Sequence, residues 1–184
     1  MTLIFPEKIY YGLFMVVSGG QCGADQGGLK AAYEEGVETG GYAPKGWRTC
    51  RGNQPQLARF GLVEAPDSNY SNRTRLNVHA SDGTVVIASN PASAGSRQTV
   101  QFARKKPQPV LTIHTYKDST IDDLDEWGHR LAKWVVDEHV LILNVAGNRD
   151  HFGSNLHEFH AHRIVSRALQ DLRIQGNLIE RVLE

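Results

Sequence analysis

The chain has little cysteine: Cys22 and Cys50 are the only two in 184 residues. Two thiols make neither a disulfide framework nor a four-cysteine zinc site, and such sparse use suits a reducing compartment. An excess of either charge is also missing, since twenty Lys+Arg face twenty Asp+Glu for a formal net charge of zero. A chain so balanced has no electrostatic reason to grip a nucleic-acid backbone or an acidic membrane surface. Local cations remain able to hold a small phosphorylated ligand. No apolar run approaches the roughly 20 residues needed to span a bilayer. The first residues lack the charged n-region, apolar core and small-residue cleavage site of a signal peptide. Proline is scarce, at seven residues, and there is no internal repeat, linker or low-complexity tract. These absences predict a cytoplasmic, globular chain without nucleic-acid or membrane partners. They also predict a single domain over 1–184, with an N-terminal extension at 1–12.

What is present is alternation. Short β-rich apolar runs recur at 13–17, 61–65, 84–89, 109–114 and 140–147, with a further strand expected over 37–43. The runs "TVVIAS" and "VLILNVAG" are almost continuously apolar, as strands buried on both faces of a parallel sheet are. Helical patterns fill the gaps at 25–35, 70–80, 97–105, 121–137 and 156–172. The order predicts an α/β fold, a Rossmann-like open, mainly parallel sheet with helices on both faces. Residues 44–60, polar and basic with two glycines, predict a long loop near the functional face.

Ligands of open α/β sheets bind beyond the carboxyl ends of the strands, and four loops there carry suitable chemistry. The first, "SGGQCGAD", offers Ser18, Gly19, Gly20, Gln21, Gly23 and Asp25. Its glycines let backbone N–H groups converge where a helix N-terminus adds positive potential, an arrangement that suits phosphate. It matches neither the P-loop nor the G-x-G-x-x-G spacing. The second, "SNPASAGSRQT", brings Gly95, Ser96, Arg97 and Thr99 to another helix start, where Ser96 is also a good cap. The third, "NVAGNRD", brings Asn144, Asn148 and Arg149. The fourth, "YAPKGWR", brings Lys45 and Arg48, cations able to neutralise a bound phosphate.

Other residues fit blander roles. His151, His157, His160 and His162 cluster without the H-E-x-x-H pattern and are expected on a polar helix face, with no metal. Cys22 stands near a helix N-terminus that would lower a thiol pKa, yet no base is assignable to it, so it reads as a small loop residue. Gly27 and Gly28 sit inside the first helix, where each costs about 1 kcal/mol relative to alanine. They are expected to allow close packing on the sheet or on a neighbouring subunit. Trp47 or Tyr70 could stack a nucleobase.

Taken together, "SGGQCGAD", "GGYAPKG", "NRTRLNV", "SDGTVVIAS" and "ILNVAGNRD" resemble the molybdenum carrier family over about residues 14–170. That family lies within the Rossmann-like superfamily that includes the lysine-decarboxylase-like and DNA-processing A proteins. The resemblance implies a pocket for a nucleotide or nucleotide-like ligand, a bound nucleotide or molybdenum cofactor with no other cofactor required, and a homo-oligomer. By motif, it implies that Gly19, Gly20, Gln21, Gly23 and Asp25 form a phosphate loop, and that Lys45, Arg73, Asn77, Asp82 and the Gly95–Thr99 turn line the pocket. The chain departs from the family pattern at Gln26, at Arg75 and in "AGSRQT". It also lacks the "PGGxGTxxE" motif of the phosphoribohydrolase branch. The expectation is a carrier, sensor or sequestering protein for a phosphorylated, nucleotide-derived molecule. The alternative is an enzyme cleaving a nucleotide phosphodiester or N-glycosidic bond, with Asp25 or Asp82 as acid or base and Cys22 assisting.

Overall fold

Six parallel strands form the centre of the molecule, in the spatial order β5-β2-β1-β8-β6-β7. The computed structural model describes residues 13–151 and 153–183, so the extension expected at 1–12 lies outside the described residues. In chain order the elements are β1 (Met15–Ser18), α1 (Ala24–Glu35), β2 (Glu38–Ala43), β3 (Arg48–Thr49), β4 (Gly52–Asn53), a 3-10 turn (Pro55–Phe60), β5 (Leu62–Glu64) and α2 (Tyr70–His79). They continue with β6 (Gly83–Ala88), α3 (Ala94–Lys105), β7 (Val110–His114), α4 (Ile121–Asp137), β8 (Ile142–Gly147) and α5 (Leu156–Leu183).

The predicted strands and helices are all present. Every residue of β6 is buried, as its unbroken apolar run requires of a strand covered on both faces. Two features differ from the sequence reading. Residues 44–60 are a short antiparallel hairpin, β3–β4, followed by the 3-10 turn. In addition, α5 runs to Leu183, well past 172. Its inward stripe of Ala161, Ile164, Val165, Ala168, Leu169 and Leu172 joins the main core with Val16, Val85, Ile87, Leu143 and Val145. A smaller core gathers Leu29, Ala43, Leu57, Phe60 and Leu62, with Trp47 against it. Among the described residues, no helix is long and apolar enough to cross a membrane.

Helix α5 packs against both α1 and α4, while α2 packs beside α3. The glycines inside α1 account for the first of these contacts. A Cβ at Gly27 would run into the backbone of α5 at Glu158, and one at Gly28 into the side chain of Val145, 2.5 Å away. The helix therefore lies close to both the sheet and its neighbour. From β1 the chain moves outward to β2 and β5; from β6 it moves the opposite way to β7. The last strand, β8, fills the gap between β1 and β6. Strand order reverses there, so the carboxyl ends of β1, β8 and β6 open into the crevice where such sheets take ligands.

Candidate functional site

Three loops meet at that crevice, and glycine sets how closely. Gly23 has φ +97°, and a Cβ there would meet Asn148 O and lie 2.8 Å from Asp150 N. The first loop and the 148–150 loop therefore run backbone against backbone, joined by the Ala24 amide donating to Asn148 O at 3.1 Å. Asn148 then ties both to the third loop. Its Oδ1 accepts from Asn90 N at 2.7 Å, and its Nδ2 donates to Asn90 O at 3.2 Å and Ser93 Oγ at 3.1 Å.

The result is an inner cavity of about 90 Å³, lined by Gln21, Asp25, Tyr70, Arg73, Asn77, Thr99, Asn144 and Arg149 among others. An outer cleft of about 510 Å³ adjoins it, lined by Ser89, Asn90, Ser93, Asn148 and His157, and sharing Gly95, Gly147 and Arg149 with the inner one. The outer volume falls within the roughly 300–1,000 Å³ of small-molecule sites.

The inner cavity is polar and electrostatically unfinished. Arg73 reaches from α2 to donate from Nη1 to Asp25 Oδ2 at 3.1 Å, and the Gln21 amide donates to the same oxygen at 3.3 Å. Burial pushes the Asp25 carboxyl up from its ordinary 3.8, with Arg73, the Gln21 amide and Arg149 all opposing it. Arg73 Nε and Gln21 Oε1 are buried with no hydrogen-bond partner among the described residues. An orphaned donor and an orphaned acceptor, each costing about 1–3 kcal/mol if left so, belong to two residues that line one cavity. Arg149 makes no ion pair among the described residues and lies instead over the Tyr70 ring, 4.7 Å from its centroid.

Of the residues singled out in the sequence, the structure brings Gln21, Asp25, Arg73, Asn77, Gly95, Thr99, Asn144 and Arg149 to the inner cavity, with Asn148 on the outer cleft. The others stand elsewhere. Ser18 is buried and donates to Val145 O at 2.5 Å. Gly19 abuts the Arg73 guanidinium, and Gly20, at φ +70°, faces the side chains of Leu62 and Leu57. These glycines shape the loop without lining the cavity. Ser96 is buried against Ser93 and Asn148. Lys45 and Arg97 are exposed and line neither space. Asp82 lies at the amino end of β6, where it accepts from Ile142 N at 2.9 Å. That is the edge of the sheet away from the crevice.

Tyr70 is the aromatic at the cavity, whereas Trp47 packs on the small core. Gln98 and Thr74 also line the cavity and were not read from the sequence; each follows by one helical turn from a motif residue, Thr74 from Tyr70 and Gln98 from Gly95.

The hairpin closes over the first loop. Gln21 Nε2 donates to Arg48 O at 2.7 Å, and Arg51 pairs with Glu158 at 2.8 Å. Cys22, expected as a small loop residue, is joined to Cys50 in a disulfide with Cα atoms 6.0 Å apart, within the usual span. Residues 44–54 fold back over the loop and bring together two cysteines separated by 28 positions. The pairing leaves no free thiol to assist catalysis and removes the argument from thiol scarcity to a reducing compartment. The histidines do not make the polar helix face expected of them: His151 and the largely buried His157 both line the outer cleft, His160 is buried, and His162 pairs with Glu34 at 2.7 Å. Burial holds His160 below its ordinary 6.5, with His157 adding to the effect and Asp150 opposing it. Among the described residues, no group of three or more His, Cys, Asp or Glu is arranged to hold a metal.

Comparison with known proteins bears on this site. A model of the circularly permutated YpsA SLOG family matches residues 16–169. A solved structure from Syntrophus aciditrophicus SB, described as "Putative molybdenum carrier protein", is 30% identical. The likeness covers 88% of this chain and 98% of that one, with a TM-score of 0.76. No curated protein matches.

Proposed function

Because the chain belongs to the circularly permutated YpsA SLOG family, we propose that its crevice binds a phosphorylated, nucleotide-derived small molecule, which the protein carries, senses or sequesters. One observation carries this reading. Arg73 and Gln21, which both line the inner cavity, each keep a buried polar atom, Nε and Oε1, without a hydrogen-bond partner among the described residues, and Arg149 beside them makes no ion pair there. A phosphate oxygen would accept from Arg73 and Arg149, which suits the planar donor fork of arginine. A ribose hydroxyl would donate to Gln21. The inner cavity has room for a phosphate-sized group, and the outer cleft takes the remainder. Tyr70, already stacked by Arg149, offers a face to a base.

A molybdenum-containing cargo, as the name of the similar Syntrophus protein would have it, fits the same cations through its anionic part. The cavity residues provide no cluster to ligate the metal itself. Cleavage of the ligand is the second reading, favoured by one fact: burial raises the pKa of Asp25 inside the cavity, as a general acid requires.

The test is a thermal-shift panel of nucleoside mono-, di- and cyclic phosphates, with mass spectrometry of each nucleotide after incubation. Binding raises Tm by stabilising the fold logarithmically with ligand concentration, about 2.7 kcal/mol at one hundred times Kd. An intact ligand with a raised Tm is the expected result. A ligand returned cleaved favours the second reading. No shift with any member of the panel contradicts both.

A further inference from the structure

Beside the anion cavity, three residues from separate segments stand in series. Ser89, the residue after β6, places its Oγ 2.8 Å from His157 Nε2. The other ring nitrogen of His157, Nδ1, is 3.1 Å from Asp150 Oδ1. The Asp150 side chain is fully buried and that of His157 is 11% exposed. Asp150 is itself held by two backbone donors, His157 N to Oδ1 at 2.8 Å and Glu158 N to Oδ2 at 3.2 Å.

These contacts fix the proton positions. Asp150 sits at the amino end of α5 accepting two amide hydrogens, and Arg51 lies 3.8 Å from its Oδ2. All of this favours the carboxylate, which only accepts. With the imidazole neutral, its proton lies on Nδ1 toward Asp150 and the Nε2 lone pair faces Ser89 Oγ at 2.8 Å, a shorter contact for the serine hydrogen than Asn148 Oδ1 at 3.4 Å. This is the arrangement a serine nucleophile needs: an adjacent base, and a buried carboxylate fixing the tautomer of that base. Capping α5 requires Asp150 alone and does not explain why the far side of the imidazole meets a serine.

The surroundings suit attack on a carbonyl. Ser89 and His157 both line the outer cleft of about 510 Å³, which also exposes Ala94 and Gly95. These two residues open α3, where first-turn amides lack intrahelical acceptors and can receive a developing oxyanion. Ser89 is half-buried, open to the cleft on one side and anchored on the other.

We propose that Ser89, His157 and Asp150 form a nucleophilic relay that hydrolyses small carboxylic esters in the outer cleft. Ser89 Oγ attacks the carbonyl carbon as its proton passes to His157 Nε2. The ester C–O bond then breaks, and His157 returns that proton to the departing alkoxide. Water attacks the acyl-serine, again through His157, releasing the carboxylic acid and restoring the serine. One ester and one water give one acid and one alcohol. Asp150 is the positioning residue. The proposed nucleotide also enters this outer cleft, so labelling is read on nucleotide-free protein, where its outcome does not depend on whether a nucleotide binds.

A fluorophosphonate probe tests the relay on the unmodified protein. The expected result is one probe per chain, with peptide mass spectrometry placing it on Ser89, and measurable turnover of p-nitrophenyl acetate. Ser89→Ala should abolish both, and His157→Gln should slow labelling by about 100-fold or more. Asp150→Asn favours the wrong tautomer. Its hydrolysis rate should rise more steeply with hydroxide concentration between pH 7 and 9 than the native rate does. The charged or titratable neighbours of the pair, Arg51, Glu158 and His160, are unchanged in that variant. Labelling no faster than that of heat-denatured protein, labelling at another residue, or native ester turnover in Ser89→Ala would each overturn the proposal. The mapping on native protein decides the question even if a variant folds poorly.

Discussion

Two charged residues meet on the wall of the inner cavity, Asp25 and Arg73, and they make different predictions. Burial raises the pKa of Asp25 against the pull of Arg73. Its charged form therefore costs stability at neutral pH. The cost is fully present above the raised folded value and vanishes below the unfolded 3.8. As pH falls through the raised value, Asp25 becomes neutral and releases Arg73 to an incoming anion. Sulfate keeps its charge over this range, so its affinity should rise from pH 7 downward in the native protein. In Asp25→Asn that affinity should stay flat, as read by calorimetric titration. Removing Arg73 should be costlier to the fold, because its side chain is nearly buried beside Asp25. Breaking such a pair from one side costs about 3–5 kcal/mol, which urea denaturation of Arg73→Ala would register. At this scale the sequence was legible where chemistry and motif coincided. Gln21, Asp25, Arg73 and Arg149 all reach the cavity, whereas Asp82, implied by resemblance, faces the opposite edge of the sheet. Nothing in the local sequence "SDGTVV" says which end of β6 the aspartate occupies relative to the ligand; strand direction and the crossover decide that. Asp82→Asn should accordingly leave ligand affinity within about twofold, since no charge would change near the crevice.

At the scale of elements, the β3–β4 hairpin is the piece the sequence did not reveal. Its two-residue strands carry no periodicity, and Gly46, Gly52 and the polar residues around them read as loop. What fixes it lies elsewhere: the Cys22–Cys50 bridge, the Gln21–Arg48 hydrogen bond, and a cluster of Lys30, Arg51 and Glu158 drawn from three elements. Burial pushes the Glu158 carboxyl up, but the hydrogen bonds and charges of Lys30 and Arg51 outweigh it, and the net shift is below the ordinary 4.5. A depressed carboxylate stabilises the fold above its unfolded pKa, and that contribution disappears as pH falls through the folded value. Lys30 and Arg51 are each about one-third exposed, so solvent screening limits the effect to about 1 kcal/mol. Protection of the 48–53 amides, their exchange taken relative to the intrinsic rate at each pH, should fall below pH 4.5 in the native protein. In Glu158→Gln it should already be low at pH 7. Reduction of the disulfide should act on the same segment, raising its exchange while the central strands stay protected.

Across the whole molecule, alternation of apolar runs and helical patterns was enough to predict a parallel sheet with helices on both faces. The strand order was not, because β8 is last in sequence yet central in space, between β1 and β6. That insertion makes the crevice. It brings "NVAGNRD" between the two glycine-containing turns and sets Arg149 on the same cavity as Arg73, a juxtaposition between residues 76 positions apart that no local pattern encodes. The close fit of α1 follows from the same packing. Gly28→Ala would press on Val145 and should cost about 1–3 kcal/mol as overpacking does, seen as a lowered Tm with an unchanged circular-dichroism spectrum.

The central claim is that this crevice binds nucleoside phosphates through the buried Arg73 and the exposed Arg149, and calorimetric titration of ADP, GDP, CDP and UDP tests it most directly. Native protein should bind at least one of the four. Arg149→Ala should weaken that binding about tenfold or more, consistent with loss of one charge-assisted contact, while Arg97→Ala, on the exposed face of α3, should leave it unchanged. No heat with any of the four nucleotides, or equal affinity in native protein and Arg149→Ala, would contradict the account.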